Sequence, residues 1–255
     1  MKRDSKIILL AAVIVAGLVG TLGFLSPIQQ DPTYHRFADQ RFWMDIPHVG
    51  DVLSSILFTA AGVLGLGALI IVTRRKHPPV HFWKAPYAVF FASIILVSAG
   101  SAYYHWAPNN DALVWDRLPM SLAFMSLFSA IIAERMGATI GKELFVPLLL
   151  IAAASVGYWN YTGDLRLYGF VQYLPIVLLP LVYWLFPARA GLSGRTLGGL
   201  FILYGLAKVS EHYDHQLWTL LGHTISGHTL KHVFAAGAVA LVAVYVLRLP
   251  DGPHR

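Results

Sequence analysis

Three histidines, an aspartate and a serine fall at the ends of apolar runs, as Ser101-Ala-Tyr-Tyr-His105, Asp116-Arg-Leu-Pro-Met120 and Gly227-His228-Thr-Leu-Lys-His232. Residues four apart on a helix share a face, so His228 and His232 can grip one ion, and Ser101 stands on the face of His105. Three neutral imidazoles with an open fourth position are the ligand set of a catalytic zinc site, where the metal brings the pKa of bound water to about 7 and polarises a carbonyl. A carboxylate such as Asp116 beside the cation takes a proton from water or orients a histidine ligand. Ser101 supplies a hydroxyl donor for an oxyanion or for the water. Each residue also has a plainer reading. The His-x3-His pair can bond headgroups or backbone, Ser101 can be a small residue at a close helix contact, and Asp116 can be a helix N-cap or a partner of Arg117 or Lys231. The set is harder to set aside than its members, because ionisable groups in membrane spans are costly and default to functional roles.

The elements that must position these groups follow from composition. Of 255 residues 56% are hydrophobic and 13% charged, and runs near the ~20 residues needed to cross a bilayer recur along the whole chain. The reading is an all-α membrane protein with spans near 7–25, 51–73, 86–106, 116–134, 143–159, 168–186, 196–212 and 225–247. That makes a seven-helix core, 51–247, preceded by an anchor helix and outer-side loop, 1–50, and followed by a tail, 248–255. The absence of cysteine excludes disulfides, thiolate ligands and a cysteine nucleophile. The first run follows Lys2-Arg3-Asp4-Ser5-Lys6 and exceeds the ~7–15 residues of a signal-peptide core, so it is expected to be a retained helix.

Basic loops resist translocation. Lys2, Arg3, Lys6, Arg74, Arg75, Lys76, Lys84, Arg135, Lys142, Arg189, Arg195, Arg248 and Arg255 all fall on one side, which predicts cytoplasmic termini and puts the histidines toward the outer side. The net charge of +6 then needs no nucleic acid to explain it. Segment 26–50, with Tyr34, His35, Asp39, Arg41, Trp43, Asp45 and His48, is either a cap over the outer face or a simple connector. Glu211-His212-Tyr213-Asp214-His215 reads as an entrance or as support around the histidines rather than as a second ion site, and His223 is left out of the ligand set. Pro175 and Pro180 suggest a kink in the sixth span.

At Ser101-x3-His105, Asp116 followed by Leu118-Pro119-Met120, and Gly227-His228-x3-His232, the chain resembles the alkaline ceramidase family, in the superfamily of seven-helix membrane hydrolases that includes the adiponectin-receptor-like proteins. The resemblance covers about 51–247. It implies zinc held by His105, His228 and His232, with Asp116 as base and Ser101 as polarising hydroxyl in water attack on an acyl amide. It also implies a ceramide-like or other N-acyl lipid as partner, with release of a fatty acid and an amine. The Trp115-Asp-Arg-Leu-Pro-Met120 segment looks closest to bacterial members, which implies a bacterial inner membrane. Asp39 to Asp45 keeps only part of the acidic calcium-binding cluster of animal members, which leaves a calcium site doubtful, and Lys231 replaces an aromatic residue common there. Two rivals stand beside the hydrolase: a non-catalytic lipid receptor or sensor with a structural zinc, and a haem protein using the histidines as axial ligands.

Overall fold

The computed structural model describes residues 1–77, 79, 82–187 and 191–252, and among these there is no strand. The helices are α1 (Arg3–Phe24), α2 (Val49–Ser54), α3 (Ile56–Thr73), α4 (Lys84–Trp106), α5 (Asn110–Met136), α6 (Ala138–Thr162), α7 (Arg166–Leu185), α8 (Gly194–His212), α9 (Asp214–Leu220) and α10 (Gly227–Leu247), with a 3-10 turn at Pro32–His35. Seven segments are long and apolar enough to cross a bilayer: α1, α2 with α3, α4, α5, α6, α7 and α10. The chain is therefore a multi-pass membrane protein. The expected span 196–212 is present as α8, but Arg195, Lys208 and Glu211 within its 19 residues keep it out of that set.

The expected boundaries shift where caps decide them. Helix α5 begins before Asp116 because the Asn109 side chain accepts from Ala112 N at 2.8 Å. Asp116 thus stands inside the helix, and the N-cap reading of it is overturned. The expected span 51–73 is two helices that meet at Ser54 and Ser55.

Helix α4 packs between α3 and α5, α5 also against α6 and α7, and α10 between α3 and α8. One apolar core, with Phe58, Val72, Phe91, Val97 and Val242, joins α3, α4 and α10 to α5. A second, with Met125, Ile131, Ala152, Leu178 and Val182, joins α5, α6 and α7. The sequence neighbours α7 and α8 approach less closely along their backbones, and Leu197 of α8 joins this second core beside Leu178 and Val182 of α7. Helix α1 lies against α7 with Leu10 as its one buried residue. Its ends are latched by cations on carbonyls at helix C-termini, where the helix dipole favours positive charge. Arg3 Nη2 donates to Met136 O at 2.7 Å, Lys6 Nζ to Leu185 O at 2.5 Å, and Arg166 Nη1 to Leu25 O at 2.5 Å.

These contacts place Arg3, Lys6 and Arg135 at the end of the bundle opposite the histidines, as does the bond from Arg75 to Leu249 O. Arg189 and Arg255, assigned to the same side from sequence, lie outside the described residues. That end is knotted by Glu134, whose Oε1 accepts from Tyr87 Oη at 2.6 Å and Tyr245 Oη at 2.8 Å while Oε2 accepts from Leu192 N at 2.9 Å. One carboxylate thus ties α4, α5, α10 and the entry to α8. Glu134→Ala removes three acceptor contacts and is expected to cost about 2–4 kcal/mol, with Glu134→Gln losing less, as read by denaturation of the protein in detergent.

Candidate metal centre

His105 lies in the last turn of α4 and His228 and His232 in the first two turns of α10, so the site is made where these two helices meet. Gly227 sets the approach: a Cβ there would stand 2.2 Å from Ser210 O and 2.7 Å from Asp214 Cα. The start of α10 is then held by carboxylates and a cap, which satisfy N–H groups that the helix itself leaves open. Ser226 accepts from Thr229 N at 2.8 Å, and Asp214 Oδ1 accepts from His228 N at 2.8 Å. Asp51 Oδ1, on α2, accepts from Ser226 Oγ at 2.7 Å and Thr229 Oγ1 at 2.8 Å.

The three imidazoles are buried, and each offers a nitrogen such that all lie within 4.8 Å of one another. His105 Nε2 and His228 Nε2 are 3.1 Å apart. Two nitrogens on a tetrahedral ion with bonds of ~2.0–2.1 Å stand about 3.3–3.4 Å apart, so the spacing suits one shared cation. The tautomer of His232 follows from its neighbours. The proton of the Ser54 hydroxyl goes to Asp51 O at 3.1 Å, so Ser54 Oγ accepts from His232 Nδ1–H at 2.7 Å, which leaves the Nε2 lone pair toward the cluster. Neutral, buried imidazoles with lone pairs converging are a donor set that fits a divalent transition metal. Among the described residues this is the one histidine or carboxylate group that could hold a metal ion.

Ser101 joins the three histidines as expected. Its Oγ is 3.5 Å from His232 Nε2 and 3.1 Å from Ser55 Oγ. Asp116 is brought near the cluster but is not one of the grouped ligands. Gly100 explains the approach, since a Cβ there would lie 2.0 Å from Trp115 O and 3.1 Å from Asp116 N, so the backbones of α4 and α5 touch beside Ser101. Asp116 is buried, in the electrostatic field of Lys231, Arg117 and Glu211. The ion-pair partner of Lys231 is Glu211, at 2.8 Å, and Glu211 also pairs with Lys208. Lys231 Nζ lies 3.1 Å from His228 Nε2.

The chain between α1 and α2 caps the cluster. Phe37 is buried with its ring centroid 4.6 Å from that of His105 and 4.8 Å from that of His228, edge to face. Ala38 N donates to Asp214 Oδ2 at 2.8 Å, and His48 Nδ1 lies 2.8 Å from His105 O. Burial pushes the Asp39 carboxyl up, but hydrogen bonds from Arg41 and from Gly50 N outweigh it and hold it below the usual carboxylate range. Oδ1 accepts from Arg41 N and Nε at 3.0 and 2.8 Å, and Oδ2 from Arg41 Nη2 and Gly50 N at 2.7 and 2.9 Å. Both oxygens are engaged, by a guanidinium rather than by open space for an ion.

Of the second polar cluster, Asp214 caps α10, His215 Nε2 lies 3.0 Å from Arg36 O, and His212 packs on Tyr213. His223 packs on Trp218, away from the ligand group. Sequence reasoning missed Phe37, Asp51 and Ser54 as supports. Asp51-x2-Ser54-Ser55 at the mouth of an apolar run was a signal available for two of them.

No family model matches the chain, and no curated protein matches it. Ser54→Ala removes the acceptor of His232 Nδ1–H and is expected to weaken divalent metal binding ~10–100-fold, measured by competition with a chromophoric chelator.

Proposed function

We propose that this chain is a zinc-dependent intramembrane hydrolase that cleaves the amide bond of a ceramide-like or other N-acyl lipid, releasing a fatty acid and an amine. The observation that carries the reading is the trio of buried imidazoles within 4.8 Å of one another, with Ser101 Oγ 3.5 Å from one of them and buried Asp116 on the adjoining helix. The order and spacing of these residues, similar to alkaline ceramidases, support the same reading. In it α1 is the additional helix and α2 to α10 form a seven-helix core, with α8 as the most polar crossing. Basic residues at the end opposite the histidines support cytoplasmic termini and an outward-facing site, in a bacterial inner membrane.

Zinc held by His105, His228 and His232 would supply the Lewis acid that polarises the amide carbonyl and makes water a nucleophile near neutral pH. The chain's own groups do the rest. Asp116 accepts the proton lost by the attacking water and returns it to the leaving nitrogen, so the amine departs neutral. Ser101 donates its hydroxyl proton to the oxygen on which negative charge develops. Phe37 and its segment keep bulk water from the imidazoles, which strengthens the electrostatics of the site. A site within a bundle of membrane-spanning helices would let a lipid enter from the bilayer, with its acyl chains never leaving an apolar medium.

One observation favours a second reading, a non-catalytic lipid receptor with a structural zinc: the three histidines are buried under Phe37, and structural zinc sites are closed. Elemental analysis of the wild type and His228→Ala, with fatty-acid release from a panel of N-acyl lipids assayed on the same preparations, separates the two. The hydrolase predicts about one zinc per chain, with zinc and hydrolysis lost together in the variant. Zinc without turnover on a broad panel would establish the receptor instead. Asp116→Asn is expected to keep its zinc and lose ~10²–10⁴ in turnover, and full hydrolysis by that variant would remove Asp116 from the mechanism. Because Arg41 already saturates Asp39, we expect turnover and thermal midpoint to be unchanged by a calcium-selective chelator, and a fall in either on calcium removal would contradict this.

A further inference from the structure

Two cations in the electrostatic field of Asp116, namely Lys231 and Arg117, are not used by the hydrolase mechanism. Lys231 Nζ stands between His228 Nε2 at 3.1 Å and Glu211 Oε1 at 2.8 Å, so it faces the nitrogens that would hold the metal. Its counter-charge is divided, because Glu211 also pairs with Lys208 and accepts from Tyr34 Oη at 3.3 Å. The second cation is Arg117, next in sequence to Asp116 and buried. Its guanidinium carbon lies 4.2 Å from the Trp159 ring centroid, 4.8 Å from that of Tyr168 and 5.6 Å from that of Tyr34. Arg117 Nη2 donates to Gln30 Oε1 at 2.6 Å, whereas Nη1 is buried with no hydrogen-bond partner. A buried guanidinium N–H left unmet is costly.

Tyr34 joins the two groups, with its hydroxyl on the carboxylate that holds Lys231 and its ring beneath Arg117. Arg117 rests against Tyr168 of α7, and Lys231 is pinned to Glu211 of α8, so the two cations stand against neighbouring helices. Glu211 is the carboxylate that both Lys208 and Lys231 pair with, and among the described residues Arg117 has no carboxylate within ion-pair distance. Cationic donors left partly unmet in a low-dielectric site favour an anionic acceptor. The open Nη1 of Arg117 and the shared ammonium of Lys231 are donors that the two oxygens of one carboxylate suit.

Resting on the N-acyl lipid reading above, we propose that Lys231 and Arg117 form a receptor for a carboxylate on the amine half of the substrate, so that the preferred class is N-acyl amino acid lipids rather than neutral amides. Lys231 and Arg117 are specificity-determining residues, and Glu211 positions Lys231.

The test is equilibrium binding to the full-length, zinc-loaded protein in detergent, with N-oleoylglycine and the neutral N-oleoylethanolamine as probes. The wild type should bind N-oleoylglycine at least about tenfold more tightly. Lys231→Met and Arg117→Met should each bring the ratio toward one by weakening N-oleoylglycine binding more than that of the neutral probe, and Lys231→Arg should retain the preference. If Arg117→Met does not fold, the pair Lys231→Met and Lys231→Arg decides. Equal binding of the two probes by the wild type overturns the proposal. A preference that survives both Met variants and disappears when zinc is chelated also overturns it, by assigning the carboxylate to the metal. The outcomes separate this proposal from the hydrolase reading. A lysine-dependent preference without cleavage of either probe leaves the receptor standing and removes the enzyme, whereas cleavage of both with no preference does the reverse.

Discussion

The site depends on how the first turn of α10 is anchored in an apolar medium. A helix that begins inside a bundle exposes N–H groups with no intrahelical partner, and in a membrane there is little water to meet them. Here Asp214 takes the N–H of His228, Ser226 takes that of Thr229, and Asp51 holds the hydroxyls of Ser226 and Thr229. Negative charge at a helix N-terminus is favoured by the dipole as well. The same contacts fix the rotation of α10 about its axis, and that rotation decides whether His228 and His232 face His105 or the lipid. A rotation of one residue, about 100° on a 3.6-residue helix, would disperse the imidazoles. The histidines therefore converge because two aspartates on other elements hold the helix that carries two of them.

What the sequence made legible were the features that are local along the chain. The four-residue spacings of Ser101 to His105 and of His228 to His232 state a shared face directly, and apolar length states a crossing. Asp214 to His228 and Asp51 to Ser226 are different in kind, because they pair loop or helix-end residues across folds of the chain that no periodicity records. Phe37 was unreadable for the same reason, one of four aromatic residues in segment 26–50, with its place over the rings set by Ala38 bonding to Asp214. Helix α8 shows the limit of the apolar-length rule. Its three charged residues lower its apolarity, but Lys208 and Glu211 pair with each other and Glu211 with Lys231. Charges neutralised within a bundle are not presented to lipid, so composition understates how well such a helix is accommodated.

The two ends of the bundle use buried carboxylates to different effect. Glu134 receives two tyrosine hydroxyls and a backbone N–H, a fully donor-satisfied arrangement that locks α4, α5 and α10 together. Such a carboxylate has little capacity left for a ligand. At the histidine end Asp51 Oδ2, Arg117 Nη1 and His105 Nδ1 are all buried without partners. Buried polar groups are ordinarily satisfied, and where they are not the cost must be met elsewhere in the structure. Arg135 Nε, beside Glu134, is unmet as well, as are Ser121 Oγ on α5 and Tyr204 Oη on α8, so among the described residues the histidine end carries more of the unmet hydrogen-bonding capacity than the Glu134 end does.

That asymmetry bears on how a closed site can still serve a lipid. Phe37 and the segment that carries it are tied down by Ala38, His48 and Tyr34 contacts, each to a different element, so lifting this cap would break several buried bonds at once. Parting α7 from α8 would separate Leu197 from the apolar cluster on α7 but would break none of these cap bonds. Local opening follows the path of fewest buried contacts. On the proposed reading, substrate thus reaches the histidines sideways, past Tyr168 and Glu211, while the cap stays in place. A lateral path also decides the order of recognition: the polar half of the lipid passes between Arg117 and Lys231 before the amide reaches the imidazoles. On the proposed reading, charge on that half would be weighed before the amide reaches the imidazoles, which would make Arg117 and Lys231, rather than the ligand set, the place where substrates are distinguished.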